Sequence, residues 1–485
     1  MARMSPSVSA PRLAGLLTGG SPRGTDDGPA YRSLAEGVRR LVADGRLLAG
    51  TRLPSERELT AALGVSRTTV AAAYGVLRER GYLQSRRGSG SVVSLPTGPV
   101  PGGPLSPVDG LAPDVLDLTI AAHAATPGLA EAYEEAMAAL PHHLPGTGYH
   151  PYGLPEVREL LAERYTARGL PTDPSQVLVT TGALAGLGLA LRALGSPGDR
   201  ALVESPSYPN AMAAIRGAGL RTVGLALDED GLDADGLDVT LRQSAARLAY
   251  LVPDFHNPTG TLVGDPTREQ VARVLRRRRT TALVDETPVD LALDRPESAM
   301  PAPMASYDDR VVTLGSAAKS YWGGLRVGWL RVPLADTGRF QQARLTLDLG
   351  AAVVEQLVLA ALLRRRDELL ARRREQLRAS RAAMVSALAE HLPDWRFTVP
   401  EGGLCLWCRL PEPRSSALAD AAPAHGLRLA PGSAFGVDGG LESFCRLPMA
   451  LPPDLATEAV RRVARAWDDA VTGTPARSAR PVIVA

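Results

Sequence analysis

Residues 315–320 read GSAAKS, and Lys319 in that run is the only lysine among 485 residues. Lysine and arginine together number 54, so the other 53 are arginine. Arginine replaces lysine as a charge and as a hydrogen-bond donor, but its guanidinium stays protonated and cannot attack a carbonyl. A lysine retained against that background points to amine chemistry, and a nucleophilic amine needs a carbonyl partner.

Other segments supply groups that suit one such partner. TTGALAG (180–186) reads as a glycine-containing turn opening a helix, where Thr181 and backbone N–H groups can hold a phosphate at the positive helix end. Ser316 and Arg326 flank Lys319 and offer a hydroxyl and a guanidinium to the same phosphate. Asp285 ends the apolar run TALVDE, a position that can pair a carboxylate with a pyridinium nitrogen. Asn257 in PDFHNPTG can donate to a phenolic oxygen, and Tyr208 in ESPSYPN offers a flat face for stacking. Arg446 in FCRLPMA can grip a carboxylate bidentately. Phosphate, pyridine ring, phenolic oxygen and carbonyl together describe pyridoxal 5′-phosphate (PLP).

The elements that must position these groups follow from pattern. In the long C-terminal part, QVLVTTG, RALVESP, RLAYLVPD, TALVDE, RVVTLGS and VGWLRV alternate with amphipathic stretches, the rhythm of an α/β fold with a mostly parallel sheet. A long helical tract (about 335–391) follows, and WRFTVPEGGLCLWCRL with FCRLPMAL suggests a smaller α+β lobe. Arginine-rich runs at 276–279 and 363–374 read as solvated helix faces with i,i+4 acid–base pairs. Cys405 and Cys408 lie in an apolar run with no second pair nearby, so core cysteines rather than metal ligands are expected. Three cysteines in a chain of this length suggest a reducing, cytoplasmic setting. No run approaches the ~20 apolar residues of a membrane span, and the broken apolar patch in residues 1–27 reads as a disordered leader rather than a signal peptide.

Net charge is +2, yet residues 31–94 hold eleven Arg against five Asp plus Glu. A small basic head on a slightly acidic body suggests a polyanion partner. Within it, SERELTAALGV forms a helix with Ser55 and Glu58 as a capping box, and SRTTVAAAYGVLRERG forms a second helix capped by Ser66. YLQSRRGSGSVVS reads as a two-stranded wing. Helix, helix-turn-helix and basic hairpin make a winged helix-turn-helix for double-stranded DNA. Arg67, Thr68 and Thr69 open the recognition helix, Arg52 and Arg57 can reach the backbone, and Arg86 and Arg87 can enter the minor groove where Gly88 and Gly90 allow close approach. The Pro/Gly-rich segment 95–114 is a linker to the body at 115–470, and 471–485 is a tail.

LPSERELTAALGVSRTTVAAAYGVLRERGYLQSRRGSGSVV closely resembles the DNA-binding domain of GntR-family repressors, over about 28–94. The body, over about 115–470, resembles fold-type I aminotransferases, and specifically the aminotransferase-like half of MocR regulators. The expected fold class is therefore multidomain: a mainly α winged helix-turn-helix, then an α/β fold-type I PLP domain with a small α+β lobe. The resemblance implies that Lys319 forms the internal aldimine, Asp285 pairs with the pyridinium, Asn257 holds O3′ and Tyr208 stacks on the ring. Thr181, Gly182, Ala183, Ser316 and Arg326 become the phosphate cup and Arg446 the carboxylate arm. Tyr149 in GYHPYG matches a tyrosine that reaches the partner subunit's phosphate, implying a homodimer. One departure is plain: the usual D-x-x-Y is DETP here, so Pro288 stands where a tyrosine hydroxyl would support O3′. His256 is either its substitute or an exposed loop histidine.

Two functions compete. One is a transcriptional regulator that binds operator DNA and senses PLP or an amino compound by aldimine exchange at Lys319. The other is a working aminotransferase acting on an amino acid or amine, with a secondary head; a PLP carrier or scaffold is a more remote third. Transaldimination opens both of the first two, so site chemistry does not separate them. The basic winged head favours the regulator.

Overall fold

The computed structural model describes residues 7–18, 29–86, 90–96, 114–228 and 231–473. In the head, helices α1 (Ala10–Thr18), α2 (Ala30–Ala43), α3 (Glu56–Leu63) and α4 (Arg67–Glu79) precede strands β1 (Leu83–Arg86) and β2 (Gly90–Val93). The two strands pair antiparallel, Leu83 opposite Val93 and Arg86 opposite Gly90. Local signals set the α3–α4 unit. Ser55 accepts from Glu58 N while the Glu58 carboxylate accepts from Ser55 N, Gly64 turns the chain at φ 67°, and Ser66 accepts from Thr69 N. Val38, Leu59, Val70, Tyr74, Leu77 and Val93 make one core under the helices.

Leu13 belongs to that core, with 0% exposure. Part of the segment read as a disordered leader is therefore the helix α1, packed on α2 and α3. Its burial depends on partners distant in sequence, which a weak local pattern does not reveal. Truncating Leu13 to alanine should cost about 2–5 kcal/mol of head stability, readable as a lowered first transition in thermal or urea unfolding.

The body is built on a seven-stranded sheet. Its strands are β4 (Val177–Thr180), β5 (Arg200–Ser205), β6 (Arg221–Ala226), β7 (Leu248–Leu251), β8 (Thr281–Asp285), β9 (Val312–Ser316) and β10 (Gly328–Arg331); a short strand β3 (Leu116–Asp117) precedes them. The order is β4-β10-β9-β8-β7-β5-β6. All neighbouring pairs are parallel except those of β10, which runs antiparallel between β4 and β9. Strands buried on both faces explain the unbroken apolar runs VLVT, LAYL and TALVD. The tract near 335–391 is three helices, Thr337–Arg344, Val353–Arg364 and Arg366–His391. Gly350, at φ 129° and closing on the carbonyl of His150, lies in the break between the first two.

In the small lobe, β11 (Cys405–Arg409) pairs antiparallel with β13 (Phe444–Pro448), and β12 (Leu427–Arg428) pairs parallel with β3. The helices Arg366–His391 and Pro453–Thr472 pack together over it. The arginine-rich faces are not simply solvated. Arg366 meets Asp290 and Glu297, and Arg373 is buried, donating to the carbonyls of Ala124 and Tyr321. Arg277 and Arg278 pair with Asp238. Among the described residues, no helix is long and apolar enough to cross a membrane.

Candidate functional site

Four parallel strands end on the same edge of the sheet, and the segments after them carry the chemistry. Tyr208 follows β5, Asn257 follows β7, Asp285 ends β8, and Ser316 ends β9 three residues before Lys319. Ligands of open α/β sheets sit at this carboxyl edge. Because β10 lies between β4 and β9, Gly328 faces both Thr180 and Ser316, which brings Thr181 and Ser316 to one place. A side chain at 328 would put its Cβ 2.6 Å from the Gly182 carbonyl carbon and 2.7 Å from Ala183 N, so only glycine lets the turn close. Gly182 (φ 103°) opens the helix Ala183–Leu194, and Arg326 donates to Thr181 O at 3.1 Å. Ser316 caps the short helix Ala317–Ser320 by accepting from Ala318 N. The result is a hydroxyl-lined helix start with a guanidinium across it, a set suited to a phosphate.

Asp285 takes two hydrogen bonds. Tyr250 OH donates to Oδ2 at 2.6 Å and Thr287 N donates to Oδ1 at 2.9 Å. Tyr250 is absent from the sequence expectations; an isolated hydroxyl inside the apolar strand LAYL was its only signal. Burial, then the nearby Asp285 carboxylate, raises the Tyr208 phenol, which keeps it neutral. Asn257 Oδ1 faces two donors, Arg446 Nη1 at 3.3 Å and Cys405 Sγ at 3.9 Å. Among the described residues, that leaves the amide nitrogen of Asn257 as the group free to donate. Cys405 is thus a core cysteine that also borders the site. His256 is neither exposed nor turned toward this pocket: it is 2% exposed, bonded to Thr259 Oγ1 at 2.9 Å, with Nε2 3.4 Å from Glu204.

Lys319 is half-buried, and burial lowers its amine to about 8, with Cys405 and Asp285 opposing and Arg446 reinforcing that shift. Its Nζ donates to Ala121 O at 2.5 Å. Arg446 is buried, lies 4.8 Å over the Phe435 ring, and donates to Thr119 O. Its Nε has no partner among the described residues. The segment Thr119–Thr126 therefore lies across both cations, through carbonyls that no residue motif announces.

Tyr149 is not part of this cluster in one chain. It is 65% exposed. In the head, Arg52, Arg57, Arg67, Thr68 and Gly90 are exposed, while the hydroxyls of Ser55 and Ser66 are engaged as helix caps. Ser66 Oγ also bonds Thr68 and Thr69. Arg87, Gly88 and the side chain of Arg86 lie outside the described residues.

Residues 125–463 match the family described as aminotransferase class I and II. The chain belongs to that family. Its residues 30–93 match the gntR family of bacterial regulatory proteins, so the aminotransferase-type body carries a GntR-type DNA-binding head. Two similar proteins are named as regulators. The probable rhizopine catabolism regulatory protein MocR of Rhizobium meliloti is 30% identical over 77% of this chain and 80% of its own. The HTH-type pyridoxine biosynthesis transcriptional regulator PdxR of Corynebacterium glutamicum is 31% identical over 78% and 83%. Among solved structures, the α-aminoadipate aminotransferase LysN of Thermus thermophilus superposes with TM-score 0.66 at 29% identity, over 75% of this chain and 94% of that one. PLP is the cofactor of this aminotransferase fold, and the residues fit it: a phosphate cup closed by Gly328, a bonded carboxylate at Asp285, an oriented amide at Asn257 and an amine at Lys319.

Proposed function

We propose that the chain is a PLP-loaded transcriptional regulator whose dimer binds operator DNA through two winged heads and registers PLP or an amino compound at Lys319. The observation that carries it is the joining in one chain of a nucleophilic amine beside a phosphate cup and an exposed, arginine-bearing recognition helix. A purely metabolic transaminase would leave that helix without a use.

Bound PLP supplies an electrophilic carbonyl carbon and an electron sink. The protein's part is binding, orientation and proton control. Thr181, Gly182, Ala183, Ser316 and Arg326 hold the phosphate, and Asp285, braced by Tyr250 and Thr287, keeps a proton on the ring nitrogen. Tyr208 covers the ring. Asn257 donates to the ring oxygen without the tyrosine companion that Pro288 removes. Arg446 takes a ligand carboxylate, exchanging its bond to Thr119 O for a charged partner.

Dimer formation is supported by an apolar surface beside the phosphate cup. Leu144, Tyr149, Leu184, Leu345, Leu347 and Leu349 are exposed. Their segments adjoin, since Gly350 closes on His150 and Arg192 donates to Thr346 Oγ1. Patches of this kind mark interfaces, and the exposure of Tyr149 on it supports a role toward a partner's phosphate.

The test is a mobility-shift titration on the DNA upstream of the protein's own coding region. Arg67, whose side chain is 76% exposed and held by a loose 3.9 Å contact to Glu56, should contribute about 1–3 kcal/mol when replaced by alanine. Wild-type affinity in Arg67→Ala would remove the recognition role assigned to α4.

A further inference from the structure

The C-terminal end of α2 rests on the body at the two segments that flank Arg446. Asp44, the residue after α2, is 8% exposed on its side chain, and Oδ2 lies 2.6 Å from Arg409 Nη2 of β11. Its other carboxylate oxygen is buried with no partner among the described residues. Gly45, at φ 72°, packs against Leu441, and Leu48 reaches β6 at Gly224, where a Cβ would lie 2.6 Å from Leu48 and 3.4 Å from Val437.

Those same segments build the wall of the site. In β11, Trp407 pairs with Arg446 of β13, stacks on Phe444 at 5.2 Å and meets Phe435 edge-on at 5.5 Å. Phe435 lies under the Arg446 guanidinium, and its carbonyl accepts from Ser207 N, next to Tyr208. Two residues on, Val437 N donates to Ser205 Oγ and Val437 O accepts from Arg216. The loop Gly432–Leu441 thus touches Arg446 and the Tyr208 segment on one side and the head on the other. Arg409 itself lies over Phe444 at 5.7 Å, so the aromatic pair links the Arg446 wall to the Asp44 bridge.

We infer that the face formed by β11 and the loop Gly432–Leu441 is the docking surface for the end of α2, and that the head reads the occupancy of Arg446 through it. The coupling half rests on the sensing function proposed above; the docking half does not. A carboxylate on Arg446 draws the guanidinium from its resting partners, and the ring beneath it, Phe435, belongs to the loop that carries Leu441. Two sites that bias one packed element are coupled reciprocally.

Hydrogen–deuterium exchange on the full-length, PLP-loaded protein tests both halves. The proteins are wild type, Asp44→Arg, Arg409→Asp, and the double reversal Asp44→Arg/Arg409→Asp. Each single reversal should speed exchange at residues 41–48 and 432–441 by roughly fivefold or more, and the double should restore it, as contacting pairs do in such cycles. Wild-type exchange in the single variants, or a double no slower than the singles, overturns the docking surface. If charge reversal unfolds the head, Asp44→Asn and Arg409→Gln give the same comparisons.

The coupling is read by replacing PLP with N-(5′-phosphopyridoxyl)-L-alanine, which adds a carboxylate to the same phosphate and ring. Exchange in those two segments should then shift by about fivefold in wild type and not in the single variants. No shift in wild type overturns the coupling. Failure of wild type to retain PLP would instead sink the cofactor-based function and leave the docking surface standing.

Discussion

Lys319→Ala should lose covalent attachment of PLP completely. Borohydride treatment of wild type should fix one pyridoxyl group per chain on the peptide containing GSAAKS, and the variant should carry none. The expectation is categorical because the 53 arginines offer no substitute amine. A second amine, the chain terminus, would label a different peptide. The variant should still hold PLP noncovalently, because Thr181, Gly182, Asp285 and Tyr208 stand on segments away from the one that carries Lys319. The geometry also predicts a structural corollary: without the Lys319 bond to Ala121 O, the segment Thr119–Thr126 keeps its Arg446, Arg373 and Tyr321 contacts. Loss of attachment should therefore leave the unfolding transition of the body nearly unchanged. Wild-type labelling in Lys319→Ala would remove the covalent assignment and with it the sensing mechanism.

Where one-dimensional signals were strong, the sequence conveyed the architecture. The caps at Ser55 and Ser66 are local devices, with donor and acceptor at most three residues apart, so they are readable without a fold. The strand runs before Tyr208, Asn257, Asp285 and Lys319 are apolar because both sheet faces are covered, and that pattern survives in one dimension. The convergence of Thr181 with Ser316 is different. It depends on β10 entering antiparallel between β4 and β9, and nothing in GWLR states that orientation.

The contacts that the sequence does not convey share a cause. Tyr250 meets Asp285 across 35 positions, and Arg373 meets Ala124 across 249. His256 lies buried beside Glu204, a residue 52 positions earlier on β5. Burial of a polar side chain demands a partner, but its identity is set by which strands and helices become neighbours. The carbonyls of Thr119 and Ala121 are the extreme case. Every residue has one, so no residue type could mark these two as the atoms that face Lys319 and Arg446. Leu13 fails for the same reason in apolar form, since its partners on α2 and α3 lie beyond the weak pattern of its own helix.

Burial of Lys319 also predicts how the protein acquires its cofactor. Desolvation brings the amine down from 10.5 to about 8, Cys405 and Asp285 opposing the fall and Arg446 adding to it. Only the neutral amine attacks a carbonyl. At pH 7 an amine with a value near 8 is about one-tenth neutral, whereas an exposed lysine is roughly 0.03% neutral, a difference on the order of 300-fold in reactive fraction. The rate of PLP attachment to cofactor-free protein should therefore rise about tenfold per pH unit below 8 and level off above it. His123 beside the site does not blur that inflexion, because burial, Arg373 and Lys319 hold it down to about 4. The sign carries over to stability. Between about 8 and 10.5 the unfolded chain binds more protons at 319 than the folded one, so the cofactor-free protein gains stability as pH rises through that window. Stopped-flow absorbance of PLP binding across pH 6 to 11 gives the answer directly. A rate still climbing at pH 10 would mean that Lys319 behaves as a solvent-exposed lysine and that the buried amine facing Ala121 does not exist in solution.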